Sequence, residues 1–177
     1  MKNLFLTTVT LLMALLTPGL SNAQNETNEK SAQKRIKELN QFYDILSKTV
    51  KEGDYEGYSN LYHSDAIVVF TAGEDKKSVP VIKALNKWKS GFEDTKSGKV
   101  KAQVEFRFSQ RVGDETTAHE TGIFHYQSYN KAGEVISNYY GHLDMLLVKL
   151  DNQWKMIMEH QISDATPEEW DALSPEY

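Results

Sequence analysis

The chain has 177 residues, 40% hydrophobic and 25% charged, with a formal net charge of −5. That is too apolar for a disordered chain and fits a soluble globular protein of one domain plus an extra segment. The net acidity argues against general nucleic-acid binding, which needs a positive footprint. The absence of cysteine excludes a disulfide scaffold, a thiol nucleophile, thiolate zinc sites and a lipoprotein anchor.

The extra segment comes first. Met1-Lys2-Asn3 is a short basic start, Leu4 to Leu16 is mostly apolar, and Pro18, Gly19 and the small-residue pattern Ser21-Asn22-Ala23 follow. Charge, apolar run and small-residue cleavage site are the order of a secretory signal. The run is shorter than the roughly 20 residues that span a bilayer, and Thr7, Thr8 and Thr10 interrupt it. The expectation is a signal peptide over 1–23, cleaved near Ala23. The mature protein is then exported, periplasmic or secreted, with no stable membrane insertion. Gln24 to Lys34 is polar and reads as a disordered leader over 24–34, leaving a single domain over 35–177.

Ile36, Leu39, Tyr43, Leu46 and Val50 recur at three- and four-residue steps, one face of a helix. Gly53 ends it, and Asp54 can cap a short second helix with Tyr55, Tyr58, Leu61 and Tyr62 as its apolar side. Ala66 to Phe70 is a β-branched strand. Ser78 can cap a third helix with Pro80 in its first turn and an apolar stripe of Ile82, Leu85, Trp88 and Phe92. From Ala102 the period becomes two, with Val104, Phe106 and Phe108 alternating with polar residues. Strands follow over Thr116–Tyr129, Glu134–Leu150 and Trp154–Ser163, joined by short turns, and a short helix starts at Thr166-Pro167 and contains Trp170. Short turns force antiparallel neighbours. Helices gathered on one side of an antiparallel sheet make an α+β fold: a curved four-stranded sheet closed by N-terminal helices into a cone with a cavity.

Strand parity predicts which residues face that cavity, because opposed residues on neighbouring strands point the same way. With Val104, Phe106 and Phe108 inward, an even-length loop at Arg111–Asp114 brings in His119, Thr121, Ile123 and His125. The same rule at Asn130–Gly133 brings in Tyr140, His142, Asp144, Leu146 and Val148. A three-residue loop at Asp151–Gln153 adds Trp154, Met156, Met158 and His160, leaving Lys155, Ile157, Glu159 and Gln161 outward. A bulge in the strand from Thr116 would swap its two faces and turn Glu120, Phe124 and Tyr126 inward. Without it Phe124, Tyr126 and Met145 lie on the convex face and need a cover, usually a second subunit.

The chain resembles the nuclear transport factor 2-like superfamily, in its SnoaL-like and ketosteroid-isomerase-like branch. The resemblance rests on Leu61-Tyr62-His63-Ser64-Asp65-Ala66-Ile67-Val68-Val69, with an acidic residue before the first strand. It rests also on Leu150-Asp151-Asn152-Gln153-Trp154-Lys155-Met156-Ile157-Met158-Glu159-His160, a turn, a tryptophan and a histidine six positions later. It implies a cystatin-like roll, a conical pocket for an apolar small molecule and homodimers through the sheet. The superfamily contains isomerases, dehydratases, hydrolases, cyclases and domains without catalysis, so fold does not settle function. The catalytic aspartate and tyrosine set of steroid isomerases has no clear match here.

The sharpest constellation in the expected register is Asp144 opposite His160. A carboxylate that accepts the imidazole N–H fixes its tautomer and raises its basicity, and the other nitrogen then serves as a general base. The bland reading is a structural hydrogen bond between two buried polar groups. Tyr62, Trp88, Phe106, His119, Tyr140, His142 and Met158 are the expected pocket wall. Three histidines on three strands lack a paired ligand motif, so no metal and no cofactor are expected. The first functional reading is an exported domain that binds a small, partly apolar molecule. The alternative is an isomerase, dehydratase or hydrolase-type enzyme using Asp144 and His160. A third is a structural dimer with a vestigial pocket.

Overall fold

The computed structural model describes residues 18–74 and 76–175, with side chains from residue 29 onward. Residues 1–17, which hold most of the expected signal peptide, lie outside the described residues. Helix α1 (Pro18–Glu52) is followed by α2 (Tyr55–Ser59), strands β1 (Tyr62–Phe70) and β2 (Lys77–Pro80), and helix α3 (Val81–Lys96). Strands β3 (Val100–Gly113), β4 (Thr117–Asn130), β5 (Val135–Leu150) and β6 (Gln153–Asp164) then precede helix α4 (Pro167–Ala172). Gln24 to Lys34, read as a disordered leader, is instead part of α1. Its Glu, Gln, Lys and Ala residues are good helix formers, so low hydrophobicity alone was a poor guide there.

The α+β architecture is as expected, with α1, α2 and α3 packed on the concave face of a curved, unclosed sheet and the short α4 on the other face. The sheet has six strands rather than four, in the order β2-β1-β6-β5-β4-β3. The neighbours are antiparallel except β1 and β6, which run parallel. Lys77–Pro80 does not cap α3. It hydrogen-bonds to β1 as an edge strand, so Ser78 is a strand residue, and α3 starts after Pro80 without a side-chain cap. Asp54 does cap α2, accepting from the Gly57 N–H at 3.0 Å. Gly53 ends α1 at φ +65°.

The apolar face of α1 lies in the concave side of the sheet, burying Leu39, Phe42, Tyr43 and Leu46. Each such side chain contributes about 1.5–3 kcal/mol when fully buried. The Tyr43 ring sits 5.1 Å from Phe106 and 4.6 Å from Phe108. Polar ties fix the helix at its sides. Lys149 on β5 and the Trp154 indole N–H on β6 both donate to the Glu38 carboxylate, at 2.6 and 3.2 Å. Arg111 on β3 donates to Asn40 at 2.6 Å and pairs with the fully buried Glu120 on β4.

Three register shifts decide which residues face the helices. Four residues separate the paired Gly113 and Ala118, an even count as expected, but an extra residue at Ser109 changes the parity of everything beyond it. Phe106 therefore opposes Phe124, and Val104 opposes Tyr126. The turn between β5 and β6 has two residues, Asp151 and Asn152, both at positive φ, as a twist-matched hairpin turn requires. A second extra residue at Ile157 then shifts β6. A third shift between His142 and Leu143 follows near the strand's end. Bulges of this kind bend the bulged strand and increase local twist.

The expected inward set is corrected accordingly. Phe106, Trp154 and Met156 are buried on the concave face. His119, Thr121, Ile123, His125, Tyr140, His142, Asp144, Leu146, Val148, Met158 and His160 lie on the convex face. Glu120, Phe124, Tyr126, Met145, Glu159 and Gln161 take the concave positions. Part of the convex face is covered by α4. Its Thr166–Glu169 capping box fixes the helix start. Trp170 packs against His125, Tyr140 and Arg107, with the guanidinium 4.3 Å from the indole centroid.

Candidate ligand-binding site

The concave sheet, α1 and α3 do not close on each other completely. Between them is a cavity of about 500 Å³. One wall is helical. Leu46 and Val50 are one turn apart on α1, and Trp88 and Phe92 one turn apart on α3, so each pair projects from a single helix face. The opposite wall is the sheet, where Val104 and Phe106, Phe124 and Tyr126, and Leu143 and Met145 alternate inward on three adjacent strands. Tyr58 on α2 joins the helical wall, 4.9 Å from Phe92 and 6.1 Å from Trp88 by ring centroid. Gly141 on β5 makes room for this lining, because a Cβ there would lie 2.5 Å from the Phe124 ring.

Glu159 from β6 is the carboxyl group of this largely apolar lining, and it is 9% exposed. Gln161 donates an amide N–H to one oxygen at 2.7 Å, and the Tyr62 hydroxyl donates to the other. Tyr58 extends the chain, its hydroxyl 3.1 Å from that of Tyr62. Burial pushes the Glu159 carboxyl above the usual glutamate range, opposed by the hydrogen bonds from Tyr62 and Gln161. Desolvation, with Glu159 nearby, also raises the Tyr58 and Tyr62 hydroxyls, so both stay protonated and remain donors.

Of the residues expected in the pocket, Trp88 and Phe106 line it, and Tyr62 stands one hydrogen bond behind it. His119, Tyr140, His142 and Met158 are on the other side of the sheet. Asp144 and His160 are directly opposed, as expected, but on the convex face, and their hydrogen bonds go elsewhere. Asp144 accepts from the Thr121 hydroxyl at 2.8 Å and lies 3.6 Å from the His119 Nε2. The His160 Nε2 is 2.7 Å from the Thr71 hydroxyl. His142 lies 3.5 Å from Glu169 of α4. Among the described residues, no three metal-ligating side chains converge, and no helix is long and apolar enough to cross a membrane.

Glu159 and Gln161, with Phe124, Tyr126 and Met145, are the site residues that strand parity assigned to the wrong face. A signal for the true face was present in the apolar count. Phe124, Tyr126, Leu143, Met145 and Leu147 form a more apolar set than His125, Thr121, His142, Asp144 and Leu146, and the face packed against helices should be the apolar one.

The family model for the calcium/calmodulin dependent protein kinase II association domain matches residues 35–165. The chain belongs to this family. No curated protein matches it, but many solved structures do. A conserved protein from Planctomyces limnophilus aligns at 11% identity with a TM-score of 0.60, covering 73% of this chain and 96% of that one. A protein from Xanthomonas campestris assigned to the same association-domain family aligns at 16% identity and a TM-score of 0.54, covering 73% and 87%. A nuclear transport factor 2-like protein of unknown function from Shewanella oneidensis aligns at 16% identity and a TM-score of 0.57, covering 73% and 99%. At these identities the likeness is one of fold, and it is the nuclear transport factor 2-like fold that the sequence led us to expect.

Proposed function

We propose that this association-domain protein binds a small, partly apolar molecule in the cavity between α1, α3 and the concave sheet. The observation that carries this reading is the buried Glu159 carboxyl, held by Tyr62 and Gln161 at the wall of an otherwise aromatic and aliphatic cavity of about 500 Å³. Ligand sites have this composition, with a mostly apolar lining and a few fixed polar groups that orient the occupant. A core packed for stability alone would fill such a space, since interiors leave few voids larger than a water molecule.

We also propose that two copies associate through the convex face. A row of side chains crosses it from Ile67 through Met158 and Leu146 to His119 and Val112 on five successive strands. Ile67, Leu146 and Val112 are each about two-fifths exposed, and a second subunit is the usual cover for such a surface. The family's name points the same way. The N-terminal pattern of charge, apolar run and Ser21-Asn22-Ala23 supports export of the assembled domain.

Native mass spectrometry of the protein purified from its source tests all three parts. The expected spectrum shows a chain beginning at Gln24, a dimer, and an added small-molecule mass that is lost on denaturation. Replacing His160 with Ala leaves that added mass in place, whereas Glu159→Gln or a Phe106→Trp filling of the cavity removes it. Retention of the ligand by a cavity-filled variant would overturn the binding reading.

A further inference from the structure

We infer that the cavity selects a cationic amine, with Glu159 as its counter-charge and the surrounding aromatic faces as its walls. This inference rests on the binding reading above and names the class of ligand. Three observations carry it. Both oxygens of Glu159 accept hydrogen bonds from neutral donors, Tyr62 and Gln161, an arrangement suited to a carboxylate. Among the described residues, no positive group is paired with it. The cavity lining contains no arginine or histidine, and its one lysine, Lys87, is an exposed residue of α3. The hydrogen bonds from Tyr62 and Gln161 favour the charged form and burial opposes it, so an entering cation would complete the site by stabilising the carboxylate.

The third observation is the wall itself. Tyr58, Trp88, Phe92, Phe124, Tyr126 and Tyr139 all line the cavity. Aromatic faces attract cations through the ring quadrupole, most strongly where water is excluded, and such cages are how ammonium groups are commonly recognised. A neutral apolar ligand would use the rings but leave the carboxylate uncompensated. An anionic ligand would be repelled by Glu159.

The test uses three indole probes of near-identical shape and different charge: tryptamine, tryptophol and indole-3-propionate. Their affinities are measured at pH 7.5 by two-dimensional NMR titration of the purified, isotopically labelled protein. Tryptamine is expected to bind at least tenfold more tightly than tryptophol, with indole-3-propionate the weakest. In Glu159→Gln the tenfold preference disappears while tryptophol affinity is kept. Trp88→Leu weakens tryptamine more than tryptophol, giving a second readout that spares the carboxyl group. If tryptophol or indole-3-propionate binds as well as tryptamine, the amine inference is overturned and the binding reading stands. If none of the three shifts a cavity resonance, the amine inference fails, and the co-purified mass decides the binding reading separately.

Discussion

The face assignment on which the site depends can be tested at Gly122. It opposes Phe108 on β3, beside the extra residue at Ser109. A Cβ added there would stand 2.1 Å from the Arg107 carbonyl oxygen and 2.9 Å from the Phe108 Cα. Both are backbone atoms, so no side-chain rotation relieves the clash, and the strand must retreat by roughly 1 Å or the bulge must dissolve. Dissolving it would exchange the two faces of the rest of β3 relative to β4. Overpacking of this kind costs about 1–3 kcal/mol. Because β3 is the sheet's outer strand, it can yield, which keeps the expected cost of Gly122→Ala within that range. At about 2–4 °C per kcal/mol for a chain of this size, the melting temperature falls by about 2–12 °C. Gly91 in α3 is the matched control, since its added Cβ meets nothing within 4 Å. There the same substitution relieves the helix of a flexible residue and stabilises by about 0.5–1 kcal/mol. Differential scanning calorimetry of the two variants checks both signs. A Gly122→Ala protein as stable as its parent would refute the close backbone approach, and with it the assignment of Phe124 and Tyr126 to the cavity.

Glu159 makes stability depend on pH in a stated direction. Its carboxyl is raised by burial from the ordinary value of 4.5, so its contribution is fully present below that value and is lost as pH rises through the folded-state value. Relative to the parent, Glu159→Gln should therefore gain stability in urea titrations as pH rises above 4.5. A relative loss over that rise would mean that a cation of the chain compensates the carboxylate. At the convex face, Leu146→Asp places a charge in the exposed apolar row and should convert the proposed dimer to a monomer in light scattering. An unchanged mass would remove this face from the interface.

Much of the fold was legible because hydrophobic periodicity is a local signal. Leu39, Tyr43 and Leu46 announced the buried face of α1, Asp54 its neighbour's cap, and Thr166-Pro167 the start of α4, and each element is in place. The parallel pairing of β1 with β6 joins segments about 90 residues apart, so no turn residue reports it. β2 was hidden for a different reason. Ser78 and Pro80 are good helix-start residues, and only pairing with Val69 and Ile67 makes that stretch a strand.

The site was less legible because a face depends on an integer count along the strand. One inserted residue changes the parity of every position after it, and neither Ser109 nor Ile157 carries a residue type that marks a bulge. The opposition of Asp144 and His160 shows how such errors combine. A three-residue turn was expected where there are two residues, and the extra residue at Ile157 restores the count. The pair was therefore correctly matched while the face it occupies was reversed. The same reversal separates two kinds of chemistry on one sheet. Asp144 accepts from Thr121 and lies beside His119 on a surface that α4 only partly covers. Glu159 is buried beside aromatic rings with two hydrogen bonds and, among the described residues, no counter-ion. A polar group on an open face can trade its partners for water at little cost, whereas the buried carboxyl cannot. That difference makes Glu159 the residue through which an occupant of the cavity would be selected.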